Sequence, residues 1–148
     1  MRLLRRFRCL AAPDKRLLIE TAFLLASIGL VLRLVSFRTL QDLLVRISGQ
    51  TRRTRAAASF PSDRIAWAIA VASRYVPGAQ NCLVQALAAW TLLAWRHHAG
   101  LLHIGVTNGP DRQFKAHAWV EHDGKVLVGG GPNLASYTTL FVRGAPTQ

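Results

Sequence analysis

The sequence predicts an α+β protein with helices first and a small antiparallel sheet after them. Three observations carry this. Apolar residues recur at helical spacing up to Gly100. Beyond Gly100 the chain breaks into short runs rich in β-branched and aromatic residues. An Asp123-Gly124 pair, a strong two-residue hairpin signal, separates two of those runs. With 148 residues the chain is expected to form one domain. Within it we read a hydrophobic helical region over 1–49, a basic linker over 50–61 and a core over 62–148.

Pro13-Asp14 reads as a helix start with Asp14 as N-cap, opening a helix from about Lys15 to Val35. "RTLQDLLVRIS" continues as a second helical piece with Leu40, Leu43, Leu44 and Ile47 on one face, closed by Gly49. "QTRRTRAAASFPS" is basic, small and polar, a surface linker. A third helix starts at Ser62-Asp63, repeats Ile65, Ile69 and Ala72 beside Trp67, and stops at Pro77-Gly78. "NCLVQALAAWTLLAWRHHAG" is the clearest helix. Asn81 is its N-cap, His97 and His98 occupy its last turn, and Gly100 closes it. The strands follow as "LLHIGVTN", "KAHAWVEH", "KVLVGG" and "SYTTLFV", with turns at Asn108-Gly109-Pro110 and Asp123-Gly124.

Lys and Arg total 19 against 7 Asp and Glu, a net charge of +12 concentrated in the first 55 residues. This favours anionic partners: acidic lipid headgroups, nucleic acid or an acidic peptide. Nucleic acid is set aside because no recognition motif is present and the aromatics do not interleave with the basic runs. The 2 cysteines, Cys9 and Cys82, lie far apart and suit a reducing, cytoplasmic compartment. No Cys/His cluster has metal-ligand spacing, and no metal or cofactor is expected. The uninterrupted apolar stretch from Thr21 to Leu32 falls short of the roughly 20 residues of a spanning helix. We read it as a buried core helix; a membrane-surface helix, giving peripheral membrane contact, is the second reading.

Cys82 stands at the first turn of its helix, where the macrodipole and unpaired N–H groups favour a thiolate and can hold a developing oxyanion. The competing reading is a small buried apolar residue. His117 shares one strand face with Lys115, Trp119 and Glu121, while Ala116, Ala118 and Val120 form a thin apolar face fit to pack on a helix. A thiol and an imidazole together supply a nucleophile and a general base. His117 can equally be a structural histidine.

"NCLVQALAAWTLLAWRHHAG", "FKAHAWVEHDGKVLVGGG" and "GGGPNLASYTTL" resemble the transglutaminase-like cysteine peptidases of lasso-peptide biosynthesis, the B-type leader peptidases, over roughly Ala56 to Phe141. The resemblance implies a transglutaminase/papain-like core over 62–148, with a Cys-bearing helix packed on a small antiparallel sheet. It implies Cys82 as nucleophile and His117 as base. It further implies removal of a leader from a ribosomally made precursor, with a leader-recognition protein and a macrolactam-forming lasso cyclase as partners. The family's third residue is an Asp on the strand after the histidine strand. Here Gly129, Gly130 and Gly131 stand in that region, with His117 counted opposite about Gly130. Asn133, a backbone carbonyl or a water remain open as the group that orients the ring. A non-catalytic transglutaminase-like module that binds a peptide or partner is the alternative.

Overall fold

The computed structural model describes residues 10–36, 38, 39, 42, 43, 46, 60–108 and 113–144. Cys9, the face formed by Leu40, Leu44 and Ile47, the Gly49 stop, the linker before Phe60 with Arg52–Arg55, and the Gly109-Pro110 turn lie outside these. The elements run α1 (Ala12–Leu34), α2 (Ser62–Ala72), α3 (Cys82–Trp95), β1 (Leu101–Asn108), β2 (Phe114–His122), β3 (Lys125–Val128), a 3-10 turn (Leu134–Ser136) and β4 (Thr138–Gly144). Arg38, Thr39, Asp42, Leu43 and Arg46 are also helical. All strand pairings are antiparallel, in the order β3-β2-β1-β4. The fold is α+β, as the change of period at Gly100 predicts.

The core forms around α3, whose side chains are buried without a break from Ala86 to Ala94. Such a helix is apolar on every side and must be covered on every side. Leu24, Leu25 and Ile28 of α1 cover one flank, Ile65 and Ile69 of α2 another, and Leu102, Ala118, Val120 and Val128 of the sheet a third. The hydrophobic amino-terminal helix and the 62–148 segment therefore share one core. Buried threonines fit because each hydroxyl donates to a carbonyl one turn back: Thr21 to Leu17 at 2.7 Å and Thr91 to Leu87 at 2.8 Å.

Several element ends differ from the sequence reading. Asp14 is not the cap of α1; Ala11 occupies that position, with Pro13 in the first turn. The Asp14 carboxylate instead meets the Arg64 guanidinium at 2.5 Å, tying the starts of α1 and α2 together. α1 is 23 residues long and, by length and composition, long enough to cross a membrane, although one face is packed into the core. α2 ends at Ala72 rather than continuing to Val76. α3 ends at Trp95, so His97 and His98 lie beyond its last turn. The closing residue is His97, with φ of 60°, and not Gly100. The amide of His97 donates to Ala94 at 3.2 Å and that of His98 to Leu93 at 3.0 Å, the paired bonds of a Schellman cap.

Arg96 follows α3 and is drawn inward. Its side chain is 7% exposed and donates to Glu20 of α1 at 2.8 Å, with its guanidinium 5.3 Å from the Phe60 ring centroid. Removing one partner of a buried ion pair leaves a charge uncompensated. We predict that Glu20→Ala lowers stability by about 3–5 kcal/mol and Glu20→Gln by less, measured by chemical denaturation. A loss for Glu20→Ala no larger than that of an exposed pair, ~1 kcal/mol or below, would show that the bridge does not hold α1 to α3.

Candidate active site

Asn81 caps α3 as expected. Its backbone is extended and its side-chain oxygen accepts from the Leu83 amide at 2.8 Å. This holds Cys82 in the first helical turn, half-buried and against the margin of the main core, as a free thiol. The Gln85 side chain donates to the Ala79 carbonyl at 2.9 Å and pins the chain entering the helix.

The β2 alternation also follows the sequence. Ala118 and Val120, at 2% and 0% exposure, pack in the core beneath α3. His117, Trp119 and Glu121 consequently lie on the other sheet face. There the rings form a row: His103 stacks on Trp119 with centroids 5.1 Å apart, Trp119 lies 6.3 Å from His117, and His117 meets Tyr137 at 5.3 Å. Glu121 is the carboxylate of this face, and its neighbours engage it. It accepts from the Trp119 indole at 3.0 Å and lies 3.4 Å from His103 Nε2.

His117 finds its partner in the main chain. Its Nε2 lies 2.7 Å from the carbonyl oxygen of Gly129. A carbonyl only accepts, so Nε2 carries the proton, and in the neutral ring Nδ1 is left as the basic nitrogen. The Asp123-Gly124 turn has φ of 49° and 74°, as a type I′ hairpin requires, and pairs His122 with Lys125 as counted. A register shift between Val120 and Glu121 then sets Val120 against Val128, so uninterrupted counting towards Gly130 fails. Gly129 turns the chain with φ of 81°. A Cβ there would lie 2.5 Å from the Ala118 carbonyl oxygen and 2.9 Å from the Trp119 Cβ. Only glycine allows this approach, and the approach delivers the carbonyl to the ring. On β1, a Cβ at Gly105, the residue paired with His117, would come within 3.0 Å of the Trp119 indole.

Asn133 sits exposed before the 3-10 turn, where its backbone carbonyl accepts from the Ser136 hydroxyl at 2.7 Å. Among the described residues, no hydrogen bond joins the Asn133 side chain to His117 or the Cys82 Sγ to the imidazole. Asp123 is at the hairpin tip beside His122. His122 Nδ1 and His98 Nε2 meet the backbone carbonyls of Ala99 and Phe60, and the two rings pack edge-on at 5.1 Å. Among the described residues, no group of His, Cys, Asp and Glu is arranged to hold a metal ion.

A family model described as the Transglutaminase-like superfamily matches residues 24–142. The chain belongs to this superfamily. Its members include cysteine peptidases and transglutaminases. The match begins inside α1, in keeping with the shared core of α1 and α3, and ends inside β4. No curated protein and no solved structure matches the chain.

Sequence reasoning left a backbone carbonyl open as the partner of the ring without saying whose; it is that of Gly129, and the Tyr137 ring beside it was not singled out. We predict that Gly129→Ala costs about 1–3 kcal/mol and displaces the carbonyl from the ring. Nitrogen-15 NMR of His117 should show the proton on Nε2 in the parent protein and a mixture of tautomers in the variant. An unchanged pattern in an equally stable variant would contradict the proposed restraint.

Proposed function

We propose that the protein is a cysteine peptidase that removes the leader from a ribosomally made lasso-peptide precursor. Cys82 is the nucleophile and His117 the general base. The observation that carries this reading is the His117 tautomer: with Nε2 committed to Gly129, Nδ1 is the nitrogen available to a thiol. Measured along the chain the two stand at the same level, although the imidazole lies on the sheet face away from α3. Gly100 packs on Leu93 where α3 turns into β1. Cys82 lies about 16 Å along the helix from Leu93, and Gly105, which pairs with His117, lies about 16 Å along β1 from Gly100.

In this mechanism Nδ1 takes the Sγ proton and the thiolate attacks the scissile carbonyl. The oxyanion forms beside the Cys82 amide at the open end of α3. The imidazolium then protonates the departing amine, which leaves as the core peptide with a free amino terminus. Water, deprotonated by the same ring, hydrolyses the acyl-enzyme and releases the leader as an acid. Catalytic hydrogen bonds are often long before substrate binds, and the Cys82–His117 bond forms in the precursor complex. The partners in this reading are the precursor peptide, a leader-recognition protein and a lasso cyclase that consumes the new amine, and the setting is cytoplasmic.

One observation favours a second reading, a non-catalytic module that binds a peptide or partner. Among the described residues, the His117 ring has no carboxylate partner and no hydrogen bond links it to Cys82. The two readings separate cleanly. Cys82→Ala and His117→Ala should each reduce precursor cleavage by roughly 10³-fold or more while leaving the circular dichroism spectrum intact. Cys82 should also react with iodoacetamide near neutral pH faster than a free thiol, because it stands at the amino-terminal end of α3. Wild-type cleavage by Cys82→Ala would end the peptidase reading. A parent protein that binds the precursor without cutting it would establish the module.

A further inference from the structure

α1 is apolar on both sides, yet only one side is packed. Leu17, Leu25 and Ile28 are 0%, 0% and 2% exposed, whereas Ile19, Phe23, Leu30 and Leu34 are 61%, 73%, 59% and 74% exposed. At 100° per residue, Arg16, Ile19, Phe23, Ala26, Leu30 and Leu34 fall within an arc of about 80°. They form a straight outward stripe about 27 Å long. A contiguous apolar stripe of this kind marks an interaction surface. Cations bracket it: Arg16 begins it, Arg33 lies beside its end, and Arg2, Arg5, Arg6 and Arg8 precede the helix in the sequence.

We propose that the outward face of α1 docks on the surface of an anionic lipid bilayer. The helix would lie in the plane of the interface, its stripe at the acyl boundary and its arginines among the headgroups. Charge decides between occupants. The chain carries +12, so a second copy brings like charge to like, whereas an acidic bilayer complements it. Nucleic acid would match the cations and leave the apolar residues unused. Crossing the bilayer would require Leu17, Leu25 and Ile28 to leave the core they share with α2 and α3. Docking in the plane leaves every one of those contacts in place.

The test is sedimentation of the full chain with vesicles of phosphatidylcholine containing about one-third phosphatidylglycerol, against pure phosphatidylcholine. Binding to the acidic vesicles should be at least roughly tenfold tighter and should weaken with salt. Phe23→Ser and Leu30→Ser should each weaken it by roughly tenfold with unchanged melting, since both sites are exposed. In Phe23→Trp the added indole should be quenched by brominated lipid. Cys82→Ala should bind as the parent does, which keeps this result independent of catalysis. Failure to sediment with acidic vesicles would overturn the proposal. So would binding indifferent to both serine substitutions, or a dimer in light scattering that those substitutions dissolve.

Discussion

The structure depends on the enclosure of α3. A helix that is apolar all round has no solvent-facing side along which to end gradually, so both ends must be closed by specific hydrogen bonds. Asn81 closes the first and the His97–His98 bonds the second. The surrounding elements take their character from the same demand. α1 presents leucines, α2 presents Ile65 and Ile69, and β2 presents the small side chain of Ala118 where the helix rests on the sheet. Cys82 lies where this closed helix first opens towards solvent, so the position of the thiol follows from packing before any chemistry is considered.

The other sheet face is organised by ring stacking and glycine. The chain must travel from β3 at one edge to β4 at the other, and Tyr137 on that path meets His117. Gly105 leaves room for the Trp119 indole, and Gly129 lets the crossing segment touch the β2 backbone. Trp119 is only 4% exposed although it faces away from the helices. His117 is therefore held by a ring on either side and by a carbonyl at Nε2. This arrangement orients an imidazole without spending a carboxylate, and Glu121 stays with Trp119 and His103.

Signals confined to a few neighbouring residues were legible in the sequence. Asn81 as a cap, the Asp123-Gly124 hairpin with its His122–Lys125 pair, and the alternation that separates Ala118 from His117 all depend on local stereochemistry. Features set by tertiary contacts were not. Asp14 suits a cap by composition, but Arg64, which lies far away in sequence, takes its carboxylate. Gly100 is a reasonable helix stop until His97 adopts the left-handed conformation earlier. The shift at Val120 leaves no mark in composition, so counting along β3 could not reach Gly129. A backbone carbonyl has no residue identity by which to be recognised. The ring's partner stands in the glycine run that occupies the place where the resemblance implies an Asp.

A peptide carbonyl also differs from a carboxylate in how it answers acidity. A carboxylate becomes a donor on one oxygen when it takes up a proton, and its hold on a neighbouring imidazole changes with it. The Gly129 oxygen has no such second state and accepts from the ring in acid as in base. Orientation at His117 is thereby insulated from the solvent's proton supply, and the only protonation event that alters the contact is one on the ring itself.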